Sequence, residues 1–172
     1  MTAFADVKPT VGDAAGSFEW LLDVAPIPAN GDISSIAEGT WLNVPDINGF
    51  APANAPKTKD RTTYANKGQT KNTKRGSDFT APVSILGIRD NTGEFQPELV
   101  LLIEAADADG DDNNVAYRYY HATSGVLAYA GTAGVNWTRA NSGPDDDEWF
   151  DFTFTGQGDR VKITNPGIDV TP

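Results

Sequence analysis

The chain has 172 residues, of which 39% are hydrophobic, with no cysteine, one histidine and a formal net charge of -11. That length suits one domain with a sizeable core, and the composition excludes disulfides, thiolate metal sites and multi-histidine sites. The acidic sum argues against a body that grips nucleic acid, because phosphate binding needs clustered cations.

Residues 1–16 are small, polar and acidic without period, and read as an N-terminal arm. No basic flank precedes an apolar run there, so a secretory signal is not expected and the chain is read as soluble and made in the cytoplasm. Residues 17–24 are a predicted strand, with Phe18, Trp20, Leu22 and Val24 on one face and Ser17, Glu19, Leu21 and Asp23 on the other. Pro26, Pro28, Asn30 and Gly31 then make a turn-rich connection to a short second strand at 40–44, whose large apolar residue is Trp41.

Residues 45–78 show no apolar period and read as a long loop. More than thirty structureless residues inside a compact domain normally mean a loop ordered by function or by a partner. Its charge is the outstanding feature. Residues 57–75 sum to +6, whereas 1–56, 76–106 and 107–172 sum to -6, -4 and -7. Seven of the 13 Lys and Arg side chains, Lys57, Lys59, Arg61, Lys67, Lys71, Lys74 and Arg75, lie in those 19 residues. A basic excursion from an acidic β body suits contact with a negative surface, and a second copy of the chain supplies one. The alternative is a solvated loop.

A third strand is predicted at 79–89, followed by the turn Asp90-Asn91-Thr92-Gly93. Residues 96–108 are the one helix candidate: Pro97 suits its first position, Glu98 complements the dipole and Gly110 lies beyond its end. Leu99, Leu102, Ile103 and Ala106 follow i, i+3, i+4, i+7, although a buried strand is the other reading of so short an apolar run. That run, 99–106, is too short to span a bilayer. The remainder reads as strands near 115–122, 125–137, 148–155 and 161–163. In the third of these, Phe150, Phe152 and Phe154 alternate with Asp151, Thr153 and Thr155. Residues 167–172 read as a C-terminal arm. The fold class is mainly β: an antiparallel sandwich or barrel with one flanking helix, in a single domain over 1–172.

No motif offers catalysis. Asp107, Asp109, Asp111 and Asn113 have the spacing that opens a calcium loop, but Asp112 and Arg118 stand where Gly and a bidentate Glu are required. Asp145, Asp146, Asp147 and Glu148 read as a hairpin tip or an acidic patch for an opposing partner. Trp20, Trp41, Trp137, Trp149, Tyr117, Tyr119 and Tyr120 could form a sugar-stacking platform, but at strand spacing they are more often core or subunit contacts. His121 on a strand face reads as a hydrogen-bonded structural residue. Neither a phosphate loop nor a nucleophile elbow is present, and no cofactor or metal is expected.

Three stretches resemble the major tail tube proteins of phages with long flexible tails. These are Ser84-Ile85-Leu86-Gly87-Ile88-Arg89 with the helix that follows, Tyr117-Arg118-Tyr119-Tyr120 with Ala128 to Ala133, and Asp147 to Gly158 with Ile163-Thr164-Asn165-Pro166. The likeness covers roughly residues 79–166 and an early strand containing Trp20. It implies a non-enzymatic virion protein that assembles into six-membered rings stacked as a hollow tube for DNA. Tape measure, terminator and distal tail proteins are the implied partners, and no membrane is involved. The segment at 45–78 occupies the place of a loop that reaches the neighbouring ring. Asp109, Asp111, Asp112 and Asp145 to Glu148 are the candidate surface for it. A β-sandwich binding module for carbohydrate or a capsid surface is the competing reading.

Overall fold

Alternating apolar residues demand a buried face, and among the described residues nine strands supply one by pairing into a single antiparallel sheet that curls into a half-barrel. The computed structural model describes residues 16–167, so the arms expected at 1–16 and 167–172 fall almost wholly outside the described residues. The strands are β1 Trp20–Pro26, β2 Leu42–Asn43, β3 Ile47–Asn48, β4 Ala53–Asp60, β5 Asn72–Leu86, β6 Asn114–His121, β7 Ala128–Arg139, β8 Trp149–Gly156 and β9 Val161–Lys162. The helix α1 spans Pro97–Asp107. The sheet order is β2-β1-β6-β7-β8-β5-β3, with β4 on β5 and β9 on β7. It is one curled sheet rather than two stacked ones.

The inner face of the curl is the core. Leu22 and Val24, Val115, Tyr117 and Tyr119, Ala133 and Val135, Phe150, Phe152 and Phe154, and Ala81, Val83 and Ile85 are all buried and form one cluster. Phe79 reaches across the interior from β5 and stacks on Tyr117, with centroids 4.7 Å apart and planes 12° apart. Tyr117 lies in register with Gly131, where a Cβ would come within 2.7 Å of the phenol oxygen, so glycine there makes room for the stack. The predicted helix forms with Pro97 in its first turn and closes over this core through Leu99, Leu102 and Ala105. It is a helix and not a buried strand. Asp107 accepts a hydrogen bond from Trp137 Nε1 at 2.9 Å, which ties the end of the helix to β7.

The outer face divides in two. Over β1 and β6 it is covered: Arg118 is buried, bonds Asp23 at 2.8 Å and Glu38 at 2.9 Å, and lies 4.7 Å from the Trp41 ring. Glu38 and Trp41 belong to the connection between β1 and β2, so this ionic cluster pins that segment across the sheet. Asp23, expected on a more polar face, is buried for the same reason and also accepts from Asn43 Nδ2 at 2.8 Å. Over β5 and β8 the outer face carries Thr80, Pro82, Thr153 and Thr155, all exposed.

Several expectations need correction. Ser17–Glu19 is a 3-10 turn rather than the start of a strand, and Phe18 is 85% exposed instead of facing the core. The second strand shrinks to Leu42–Asn43 because Glu38–Thr40 is another 3-10 turn. The largest correction concerns residues 45–78, which do not form a structureless loop. They contain β3, β4 and the first half of β5, joined through a 3-10 turn at Tyr64–Asn66. From Ala53↔Thr80 to Asp60↔Asn72 the two strands pair as a hairpin, with a register shift between Lys57 and Thr58.

Candidate functional site

The hairpin projects because β8 runs out before it does. The last β8 pair is Thr80↔Thr155, while β5 continues outward to Asn72 on β4 alone. That extension adds eight residues, about 26 Å at ~3.3 Å per residue. We call this projection the arm. Both faces of the arm are solvated: every residue of 55–60 is exposed, and 72–78 include only Thr73 and Ser77 as half-buried.

Polar bonds rather than apolar packing hold its tip. Asp60 accepts from the Thr62 amide at 2.8 Å and its hydroxyl at 2.5 Å, and these bonds hold the carboxyl below its usual range. Thr63 and Asn66 close a reciprocal capping box. Lys67 then takes φ of 50° and Gly68 φ of 81°, the left-handed turn that starts the return strand. Lys71 donates its amide to Thr62 Oγ1 at 3.0 Å, and Arg61 donates its own to the Lys71 carbonyl at 2.8 Å. The tip is therefore an ordered shape.

All seven predicted cations, Lys57, Lys59, Arg61, Lys67, Lys71, Lys74 and Arg75, are exposed on this arm. Lys57 pairs with Asp78 of the same arm at 2.6 Å, a solvent-exposed bridge of small energetic weight. The predicted anions lie elsewhere. Asp109, Asp111 and Asp112 are exposed on the turn between α1 and β6. Asp145, Asp146 and Asp147 are exposed on the turn between β7 and β8. Glu148 differs: it is half-buried and bonds Arg139 at 3.0 Å and Arg89 at 3.9 Å, so part of its charge is already met within the chain.

The antiparallel ladder fixes where these groups sit. β5 starts at the arm tip and finishes at Leu86 next to Trp149, the start of β8. β7 finishes at Arg139 beside Phe150, and β6 starts at Asn114 beside β1's last residues. The turns at 107–113 and 140–148 therefore leave the end of the barrel opposite the arm. Asp90 and Glu94, on the turn after β5, add to the same end. The sequence-predicted cations and anions form two separate surfaces at opposite ends of one molecule.

Other candidate residues have internal partners. Asn113 donates its side-chain amide to the carbonyls of Ala105 and Val135, at 3.0 and 2.7 Å, so the calcium-like spacing does not gather four outward ligands. Among the described residues no three His, Asp or Glu side chains converge on a metal-sized site. His121 Nε2 lies 3.2 Å from Glu19 and its Nδ1 3.1 Å from the Thr123 hydroxyl. Tyr117 and Tyr119 are buried, and burial pushes both phenols above the usual range, Tyr117 the further. Trp20 packs on Tyr119 and Trp137 on Phe150, so these aromatics build the core instead of a stacking platform. Sequence reasoning passed over Tyr64, fully exposed at the arm tip; its signal was being the one aromatic residue within the basic stretch.

No family model matches the chain, and no curated protein matches it. Solved structures do. A chain in the tail of an empty GTA particle, obtained by helical refinement with C6 symmetry, superposes with a TM-score of 0.58. It shares 9% identity, over 88% of this chain and 100% of the other. A chain of the anti-feeding prophage (AFP) baseplate, six-fold symmetrised, gives 0.53 with 8% identity over 90% and 98%. At such identity the likeness is one of fold, and the fold expected from the sequence resemblance is the one found.

Proposed function

We propose that the chain is a structural subunit of a phage-type tail tube, in which copies form six-membered rings that stack into a hollow conduit for DNA. The observation that carries this is the separation of charge: a projecting cationic arm at one end and acidic turns at the other. A head-to-tail contact between unlike surfaces does not close on itself, so it generates a filament. Two chains of the same fold, each from a tail or baseplate assembly with six-fold symmetry, support the ring. Edge-strand pairing and apolar burial hold each ring, while the charges set polarity and register, because each exposed pair contributes only about 0–1 kcal/mol.

The exposed outer face of β5 and β8 suits the channel wall. Within the barrel, short of the arm, that face presents Thr80, Pro82, Thr153 and Thr155 without lysine or arginine, so it would not retain a duplex. The role is structural rather than catalytic, in the virion tail, with terminator, tape measure and distal tail proteins as neighbours. Electron microscopy of the purified protein at high concentration, with and without the tail's initiator, tests the reading. Rings or tubes are expected; persistent monomers under both conditions contradict it.

A further inference from the structure

Charge alone leaves the arm's tip unexplained. Tyr64 is 105% exposed, the most exposed large apolar side chain among the described residues, on a turn already fixed by hydrogen bonds. An aromatic ring presented on a hydrogen-bonded, cationic turn has the form of an interface anchor, because the turn that carries it is already formed before docking. We infer that Tyr64 inserts into one particular pocket at the opposite end of a second copy, the pocket between α1 and the start of β6. This rests on the head-to-tail reading above and adds to it the residue and the site that carry the contact.

That pocket has a volume of about 330 Å³. Ile27, Leu101, Ala105 and Ala108 give it apolar walls, and Glu104, Asp111 and Asp112 give it an acidic rim. The tip is its complement: Tyr64 stands among Arg61, Lys67 and Lys71. Two other cavities fit worse. The one lined by Phe18, Trp20, Leu21 and Phe50 has no acidic residue in its wall. The groove beside Trp41 contains Lys162, which repels a cationic tip, and its Glu38 is already bonded to Arg118. Of these three, the α1–β6 pocket combines an apolar interior, acids that make no ion pair among the described residues, and a position at the end the arm must meet.

The chain has no cysteine, so an engineered pair reports contact without background. Ala65→Cys beside the anchor and Ala108→Cys in the pocket wall are placed on one chain and treated with a short bismaleimide under assembling conditions. The expected product is a ladder of covalent multimers. Tyr64→Ala in the same chain should abolish the ladder and raise the concentration needed for assembly at least about 30-fold, while Tyr64→Phe keeps both. Tyr64 touches nothing in its own barrel, so an unchanged melting temperature verifies that the Ala variant folds. Assemblies that form but do not ladder, or that ladder equally well with Tyr64→Ala, overturn the anchor and leave the stacking reading standing. A parent protein that stays monomeric overturns both.

Discussion

The barrel and the arm are drawn from the same ladder of backbone hydrogen bonds, yet they are stabilised in opposite ways. In the barrel, Phe150, Phe152 and Phe154 alternate inward against Tyr117, Val135 and α1, and burial supplies the driving force. In the arm, β4 and the first half of β5 bury almost nothing, and a two-stranded ribbon of this kind is marginal in water. Its base is secured because β5 runs unbroken into the barrel, and its tip because side-chain hydrogen bonds define a turn. The comparison teaches that the barrel is held by its own burial and the arm is not, which is what the proposed contact role of the arm requires. In the proposed stacking, this exposed ribbon gains its remaining stabilisation from a second copy of the chain.

Substitutions should split along that division. Phe152→Ala, in the barrel, should cost about 3–5 kcal/mol in chemical denaturation, since the side chain is 1% exposed and leaves a cavity. Arg118→Met should cost about 3 kcal/mol by the same measurement, because the Asp23 carboxylate stays buried without its cationic partner. Trp137→Phe removes the hydrogen bond to Asp107 and should cost about 0.5–1.5 kcal/mol. Reversing Lys71, Lys74 and Arg75 to Glu should change the melting temperature little, these being exposed sites, yet stop elongation when followed by electron microscopy. Normal tube lengths from that variant would erase the distinction between the two regions.

The smallest effect lies within the tip. Thr62 holds the Asp60 carboxyl below its ordinary value of 3.8, so this turn is stabilised above that value and loosens as pH falls through the lower folded one. The Thr62 amide resonance should titrate with a midpoint below 3.8, and a midpoint at or above it would show that the turn is not formed in solution.

The same division explains what the sequence made legible. β8, β6 and α1 were readable because burying one face, or one stripe, writes a period into the sequence. The arm was not, since Ala-Asn-Ala-Pro-Lys-Thr-Lys-Asp of β4 is wet on both faces and carries no such period. Its turn at Asn66, Lys67 and Gly68 lies inside the stretch that read as one loop. Asp23 misled for a related reason: it and Arg118 are buried by an irregular crossing segment whose Glu38 and Trp41 lie well away from them in sequence. The seven cations and the acidic turns were legible as residues. Their placement at opposite ends came only with the strand register.

Amide hydrogen exchange read by mass spectrometry, comparing dilute monomer with the concentrated assembly, tests the central claim most directly. The account predicts that 57–75 and the turns at 107–113 and 145–148 gain protection together on assembly, while the barrel core is protected in both states. Assemblies in which the arm continues to exchange as fast as in the monomer would contradict it.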